Sequence, residues 1–246
     1  MPARNFKAVI IDLKQVISAP QELLSRVWGI ALDEYLDQEK PVNLQFKNEL
    51  KGLFEKSPNE EAILNLLHSK NIVLPEKSLD KKEQPTLSGL VSKSESVFLD
   101  IISNEGLNTF SDTINQIKRW KSRGLKIALV STCKNTRDIL KIAQVDNNFD
   151  FIYNSPTESE KSGKLSNEAY SYICKNLDAL PEETVLIANN INSVKTGKEV
   201  NFGLVVGMVR QGSKREMLQN GADVVVENME ELKSIGLKKS FNYEFR

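Results

Sequence analysis

Ala8-Val9-Ile10-Ile11-Asp12 is a run of four apolar residues that ends on an acid. Without alternation, such a run suits a strand buried on both faces, as in the middle of a parallel sheet. The strand delivers Asp12 to the sheet's carboxyl edge, where open parallel sheets take their ligands. Leu13, Lys14 and Gln15 follow at once.

Outward from this strand the pattern changes twice. From about Pro20 to Asn104 no second strand of comparable strength is present. Leu23, Leu24, Val27, Trp28, Ala31 and Leu32 recur at helical spacing. Leu44, Phe46, Leu50, Leu53 and Phe54 do the same, as do Ala62, Ile63, Leu66 and Leu67, and Leu87 to Ile102 continues the series. This predicts a four-helix block over 20–104. After Leu107 strands and helices alternate. Helix Ser111–Ser122 stops at Arg123-Gly124. Strands at Lys126–Val130, Phe151–Tyr153, Val185–Ile187, Leu204–Met208 and Val224–Val226 are interleaved with helices near 135–143, 166–177, 192–200 and 214–220, and a short helix is expected at Glu230–Ile235. Alternation of this kind predicts an α/β fold with a doubly wound parallel sheet. One strand precedes the helical block, so the block is an insertion. The core is 1–19 with 105–246, and the helical cap is 20–104.

Composition narrows the function. The 246 residues carry 33 Lys plus Arg and 33 Asp plus Glu, a formal net charge of +0. A balanced chain has no overall electrostatic reason to seek nucleic acid or an anionic membrane. No apolar run approaches the length of a membrane span, and the first seven residues lack the apolar core of a secretory signal. The expected location is cytoplasmic. One histidine, His68, excludes multi-histidine metal sites and removes the commonest general base. Cys133 and Cys174 are too few for a disulfide framework or a zinc site.

The strand ends collect the candidate chemistry. Asp12 and Lys14 follow the first strand. Ser131, Thr132 and Cys133 follow the second. Lys161 and Lys164 lie in the loop after Tyr153, and Ala188, Asn189 and Asn190 follow Ile187. A carboxylate, two hydroxyls and a lysine around one edge form a phosphate-handling set, helped by helix N-termini. Plainer roles stand beside this one. Asp12 also suits a strand-end acid paired with Lys14 or Lys164, Ser131 or Thr132 a helix cap, and Lys164 a surface lysine. Gly163-Lys164 is no P-loop, since Glu158 stands where its first glycine belongs and Leu165 where its Ser or Thr does. The basic and aromatic tail from Lys238 to Arg246 suits either a docking segment or a loose terminus.

In these residues the chain resembles the haloacid dehalogenase superfamily, in its beta-phosphoglucomutase-like branch. Ala8 to Leu13 sits where that family has its nucleophile strand. Ile127 to Asn135 matches the phosphate-binding strand and turn, Gly163-Lys164 the phosphate lysine, Glu182 to Ile187 the strand before the fourth motif, and Gly221 to Val226 the last strand. Leu50-Lys51-Gly52 echoes the cap. The resemblance implies a nucleophile at Asp12, an acid two residues on, and Mg²⁺ held partly by acids after the fourth strand. Here the second acid is Lys14, a glycine is replaced by Gln15, and the metal acids are Ala188 and Asn189. Mg²⁺ needs hard anionic oxygen, and a carboxylate attacking a phosphate dianion without a metal meets like-charge repulsion. The expectation is a degenerate member: Asp12 as relic nucleophile, Lys14, Ser131, Thr132, Lys164 and Asn189 as ligand-binding residues, and no metal cofactor. It would bind a phosphorylated or anionic small molecule, or a protein partner, without efficient turnover. The alternatives are a low-activity sugar-phosphate phosphatase or phosphomutase using Asp12, and an interaction protein whose cap groove is the contact surface. Metal-free dehalogenation is disfavoured, since Ser193 stands where such enzymes resemble one another in an acid.

Overall fold

A computed structural model describes residues 5–19, 21–36, 60–75, 85–131, 133–154, 165–210 and 213–235. The helix expected at Leu44–Phe54, Thr132, Lys161, Lys164 and the tail from Lys238 lie outside the described residues.

Six parallel strands form the main sheet: β1 (Ala8–Asp12), β4 (Lys126–Ser131), β5 (Phe151–Asn154), β6 (Thr184–Ala188), β7 (Leu204–Met208) and β8 (Val224–Val226). Their order is β5-β4-β1-β6-β7-β8. β1 lies in the middle, between β4 and β6. That position explains the unalternating apolar run: Ala8, Val9, Ile10 and Ile11 are all fully buried. Even and odd residues serve opposite faces. Ala8 and Ile10 pack with Ala128, Val130, Leu186 and Val205 in one cluster. A second sheet escaped the sequence pattern. Ile17–Ser18 (β2) pairs antiparallel with Asn108–Thr109 (β3), two residues each, too short to show a period.

The helices of this unit are α4 (Ser111–Ser122), α5 (Thr136–Ile142), α6 (Asn167–Asn176), α7 (Ile191–Glu199) and α8 (Lys214–Gln219). α6 begins at Ser166, whose hydroxyl accepts from the N–H of Ala169. Its buried face, Ala169, Tyr170, Ile173 and Cys174, joins the same cluster as Ile10. The expected helix at Glu230–Ile235 is instead a 3-10 turn, Met229–Leu232. Asn228 accepts from the N–H of Glu230, and Glu231 reaches back to the N–H of Asn228; capping from both sides suits one tight turn.

Contact clustering divides the chain into two compact units, Met1–Ser18 with Asn108–Arg246, and Ala19–Leu107. The second contains α1 (Gln21–Leu36), α2 (Glu60–Ser69) and α3 (Leu87–Glu105). Val27, Ala31 and Leu32 of α1 meet Ile63, Leu66 and Leu67 of α2 and Leu90 and Val97 of α3. Thr86 caps α3 by accepting from the N–H of Gly89, and its own N–H donates to Tyr35 Oη. A Cβ on Gly89 would fall 1.8 Å from that phenol oxygen, so a larger residue here would displace the Tyr35 ring and its bond to Thr86. Gly106 ends α3 at φ +81°, a conformation without steric cost only for glycine.

Candidate functional site

Asp12 ends β1 and caps the 3-10 turn Leu13–Gln15. The backbone N–H of Lys14 donates to Asp12 Oδ1 at 2.7 Å. Burial pushes the Asp12 carboxyl above its ordinary range, while that N–H and the Lys14 ammonium pull the other way. Lys14 itself is exposed. It is bonded to Asp12 through its backbone, and its ammonium acts on the carboxylate only through the field.

Register aligns the neighbouring strand ends. Asp12 lies opposite Val130 on β4, so Ser131 is one step beyond it. Ile11 lies opposite Ile187 on β6, which puts Ala188 level with Asp12 and Asn189 one step beyond. Asp12, Ser131 and Asn189 therefore share the carboxyl edge of three adjacent strands. Ser131 is buried, and its Oγ accepts from the N–H of Cys133 at 3.1 Å. Thr136 Oγ1 lies 2.7 Å from Ser131 Oγ and 2.6 Å from the Cys133 carbonyl. Thr136 has one hydroxyl proton. Given to the Cys133 carbonyl, it leaves Ser131 to donate inward to Thr136; given to Ser131, it frees the serine proton for a ligand.

The end of β6 is built of amides. Asn190 Nδ2 donates to Asn189 Oδ1 at 2.6 Å, and Asn190 Oδ1 accepts from the N–H of Ser193 at 2.9 Å, capping α7. Both are partly buried. Asn189, Asn190, Met208, Val209, Ser213 and Glu216 line a cavity of about 240 Å³ beyond β6 and β7. This edge does not fit Mg²⁺. Asp12 is the one carboxylate among the described strand-end residues named above, the Asn189 oxygen is uncharged and already accepts from Asn190, and no cluster of three His, Cys, Asp or Glu among the described residues is placed to hold a metal.

Sequence patterns missed a polar cluster behind the Asp12 turn. Thr113 Oγ1 donates to the carbonyl of Gln15 at 2.8 Å. Arg210, just past β7, donates to Thr113 Oγ1 at 2.7 Å and to Asp112 at 3.0 Å, and its guanidinium stacks over Phe110 at 3.6 Å. Burial alone would raise the Asp112 carboxyl, but the N–H of Met229 and the Arg210 guanidinium outweigh it and hold it below its ordinary range. The partners lie 97 or more positions apart, so no local spacing signals them. Gln15, where the family pattern leads one to expect glycine, is 5% exposed.

Comparison with known proteins agrees with this architecture. The chain matches the family model described as haloacid dehalogenase-like hydrolase over residues 32–206. It is 25% identical over 238 residues to a beta-phosphoglucomutase of Mycobacterium bovis, covering 92% of this chain and 91% of that one. A beta-phosphoglucomutase structure from Clostridium difficile aligns with TM-score 0.59 at 21% identity, covering 92% of this chain and 93% of that one. A haloacid dehalogenase family hydrolase from Deinococcus radiodurans R1, with bound phosphate and sodium, aligns with TM-score 0.63 at 18% identity, covering 94% and 95%. No helix among the described residues is long and apolar enough to cross a membrane. The central acid-tipped strand, the parallel sheet and these matches place the chain in the haloacid dehalogenase-like hydrolase family, as a phosphatase- and phosphomutase-like member of its beta-phosphoglucomutase-like branch.

Proposed function

We propose that this protein binds a phosphorylated or anionic small molecule, or a protein partner, at the carboxyl edge of its sheet without efficient phosphoryl transfer. The observation that carries this is the pairing of Asn189 with Asn190 beside a lone, desolvated Asp12. An Asp nucleophile needs a counter-charge for the incoming phosphate and an acid for the leaving group. At this edge the residue two past Asp12 is an exposed lysine, a cation in the place of an acid. It is well suited to holding an anion. Ser131 would contribute through its hydroxyl; Thr132 and Lys164 remain proposed ligand residues on sequence grounds.

The experiment is a gain of function. Lys14→Asp alone should stay inactive on sugar phosphates with Mg²⁺. Lys14→Asp with Asn189→Asp should gain measurable Mg²⁺-dependent phosphatase activity. Robust turnover by the unmodified protein, lost on Asp12→Asn, would defeat the binding-only function and establish a sugar-phosphate phosphatase or phosphomutase instead. One observation favours that second function: the Lys14 N–H still fixes Asp12 Oδ1 at 2.7 Å, the orientation an attacking carboxylate needs.

A further inference from the structure

We propose that β5 and α6 form a self-complementary surface on which two copies of this chain pair about a two-fold axis normal to the sheet. This is independent of what the carboxyl edge binds. β5 ends the sheet order, with β4 on one side and no strand on the other among the described residues. Phe151-Ile152-Tyr153-Asn154 contains neither proline nor lysine, two of the guards that blunt a free edge.

One flank of this edge is aromatic and the other mixes apolar with charged residues. On one face Tyr172 of α6 rests against Phe151 and Tyr153, with ring centroids 6.0 and 6.1 Å away. Tyr172 is nonetheless 54% exposed, among the most exposed large apolar side chains. Tyrosine in such a setting is a frequent anchor of protein interfaces. On the other face Ile152 and Phe149 line a cavity of about 330 Å³.

Charge selects the occupant. Glu168, Tyr172 and Lys175 lie at i, i+4 and i+7, one face of α6. Glu168 and Lys175 are exposed, and neither has an ion partner among the described residues. At a rise of about 1.5 Å per residue they lie roughly 6 Å and 4.5 Å to either side of Tyr172. Antiparallel pairing of α6 with its copy thus sets each Glu168 against the other chain's Lys175, with the tyrosines at the centre. The same axis runs the two β5 edges antiparallel, so they can continue the sheet. The cavity on the opposite face also carries both signs, Arg137 and Lys141 against Asp146 and Asp150. An isologous interface sets residue i against residue j and j against i, so a patch that carries both signs can complement its own copy.

The test is the mass of the full chain by light scattering or sedimentation across a concentration series. The expected result is a concentration-dependent dimer that Tyr172→Glu weakens at least about 100-fold. Glu168→Lys and Lys175→Glu should each give monomers alone, and an equimolar mixture of the two should recover the dimer. Recovery on mixing cannot come from misfolding of either variant. A monomer at all concentrations to about 1 mM overturns the proposal. So does a dimer indifferent to these substitutions, or single variants whose mixture stays monomeric.

Discussion

The carboxyl ends of β1 and β6 lie side by side in one sheet, and they have been treated differently. Their interiors are interchangeable: Ile10 and Leu186 are 0% and 1% exposed and share a cluster. Their tips are not. β1 still delivers a carboxylate, desolvated and held by a backbone N–H. β6 delivers two amides that satisfy one another and cap α7. A polar tip that binds its own neighbours is a structural feature; one that is buried at a cost, with its charge only partly compensated, serves something outside the fold. In the function proposed above, the tip of β1 is the anion-facing side and the tip of β6 is where amides stand in the place of acids.

The largest effects should be the same for both strands. Ile10→Ala and Leu186→Ala should each cost about 2–5 kcal/mol in denaturant unfolding. A cost confined to one strand would move the difference between them from the tips into the core.

Asp12→Asn separates the tips by pH. The folded carboxyl titrates above the ordinary aspartate value of 3.8 because burial disfavours the charge. The native state therefore holds the proton more tightly, and stability falls as pH rises from 3.8 through the folded value. Asp12→Asn removes that loss. The variant should be more stable than the parent at neutral pH, with the gap closing on acidification below 3.8. A gap that is constant with pH would mean that shape, rather than charge, governs the site. Asp112 supplies the opposite control. Its carboxyl is held low, so its contribution is present above 3.8 and lost as pH falls through the folded value; Asp112→Asn should destabilise at neutral pH.

Asn190→Ala should cost about 1 kcal/mol, the worth of an N-cap, and Asn190→Ser or Asn190→Asp should restore most of it. Rescue by these caps would confirm that Asn190 serves α7. Failure of both would return Asn190 to the candidate ligands.

The sheet was legible because each buried strand announces itself as an apolar run and each return helix by its period. Asp12 was legible for the same reason: an acid at the end of such a run has few other places to be. What lay hidden depends on contacts distant in sequence. Arg210 reaches Asp112 and Thr113, and Thr113 in turn holds the Gln15 carbonyl, a chain of contacts no window of a dozen residues contains. Ser131 reads in the sequence as a ligand-binding hydroxyl or a helix cap, and its bond with Thr136, five residues on, has no signature there. The β2–β3 ribbon, two residues a strand, has no period to detect.

The smallest effect tests the β6 tip most directly. Asn189 immediately precedes the cap of α7, where partial positive charge from the helix collects. Asn189→Asp would place a carboxylate there, facing the Asn190 amide that already donates to this position at 2.6 Å. Such a bond strengthens when its acceptor is charged. The substitution should stabilise the fold by about 0.3–1 kcal/mol, read as a raised thermal midpoint. With Lys14 unchanged, millimolar Mg²⁺ should leave that midpoint where it is, since an ammonium two residues past Asp12 opposes a cation at this edge. A further rise on adding Mg²⁺ would show that one restored carboxylate is enough to hold the metal, and that the residue at the β6 tip, rather than the lysine after β1, decides metal binding.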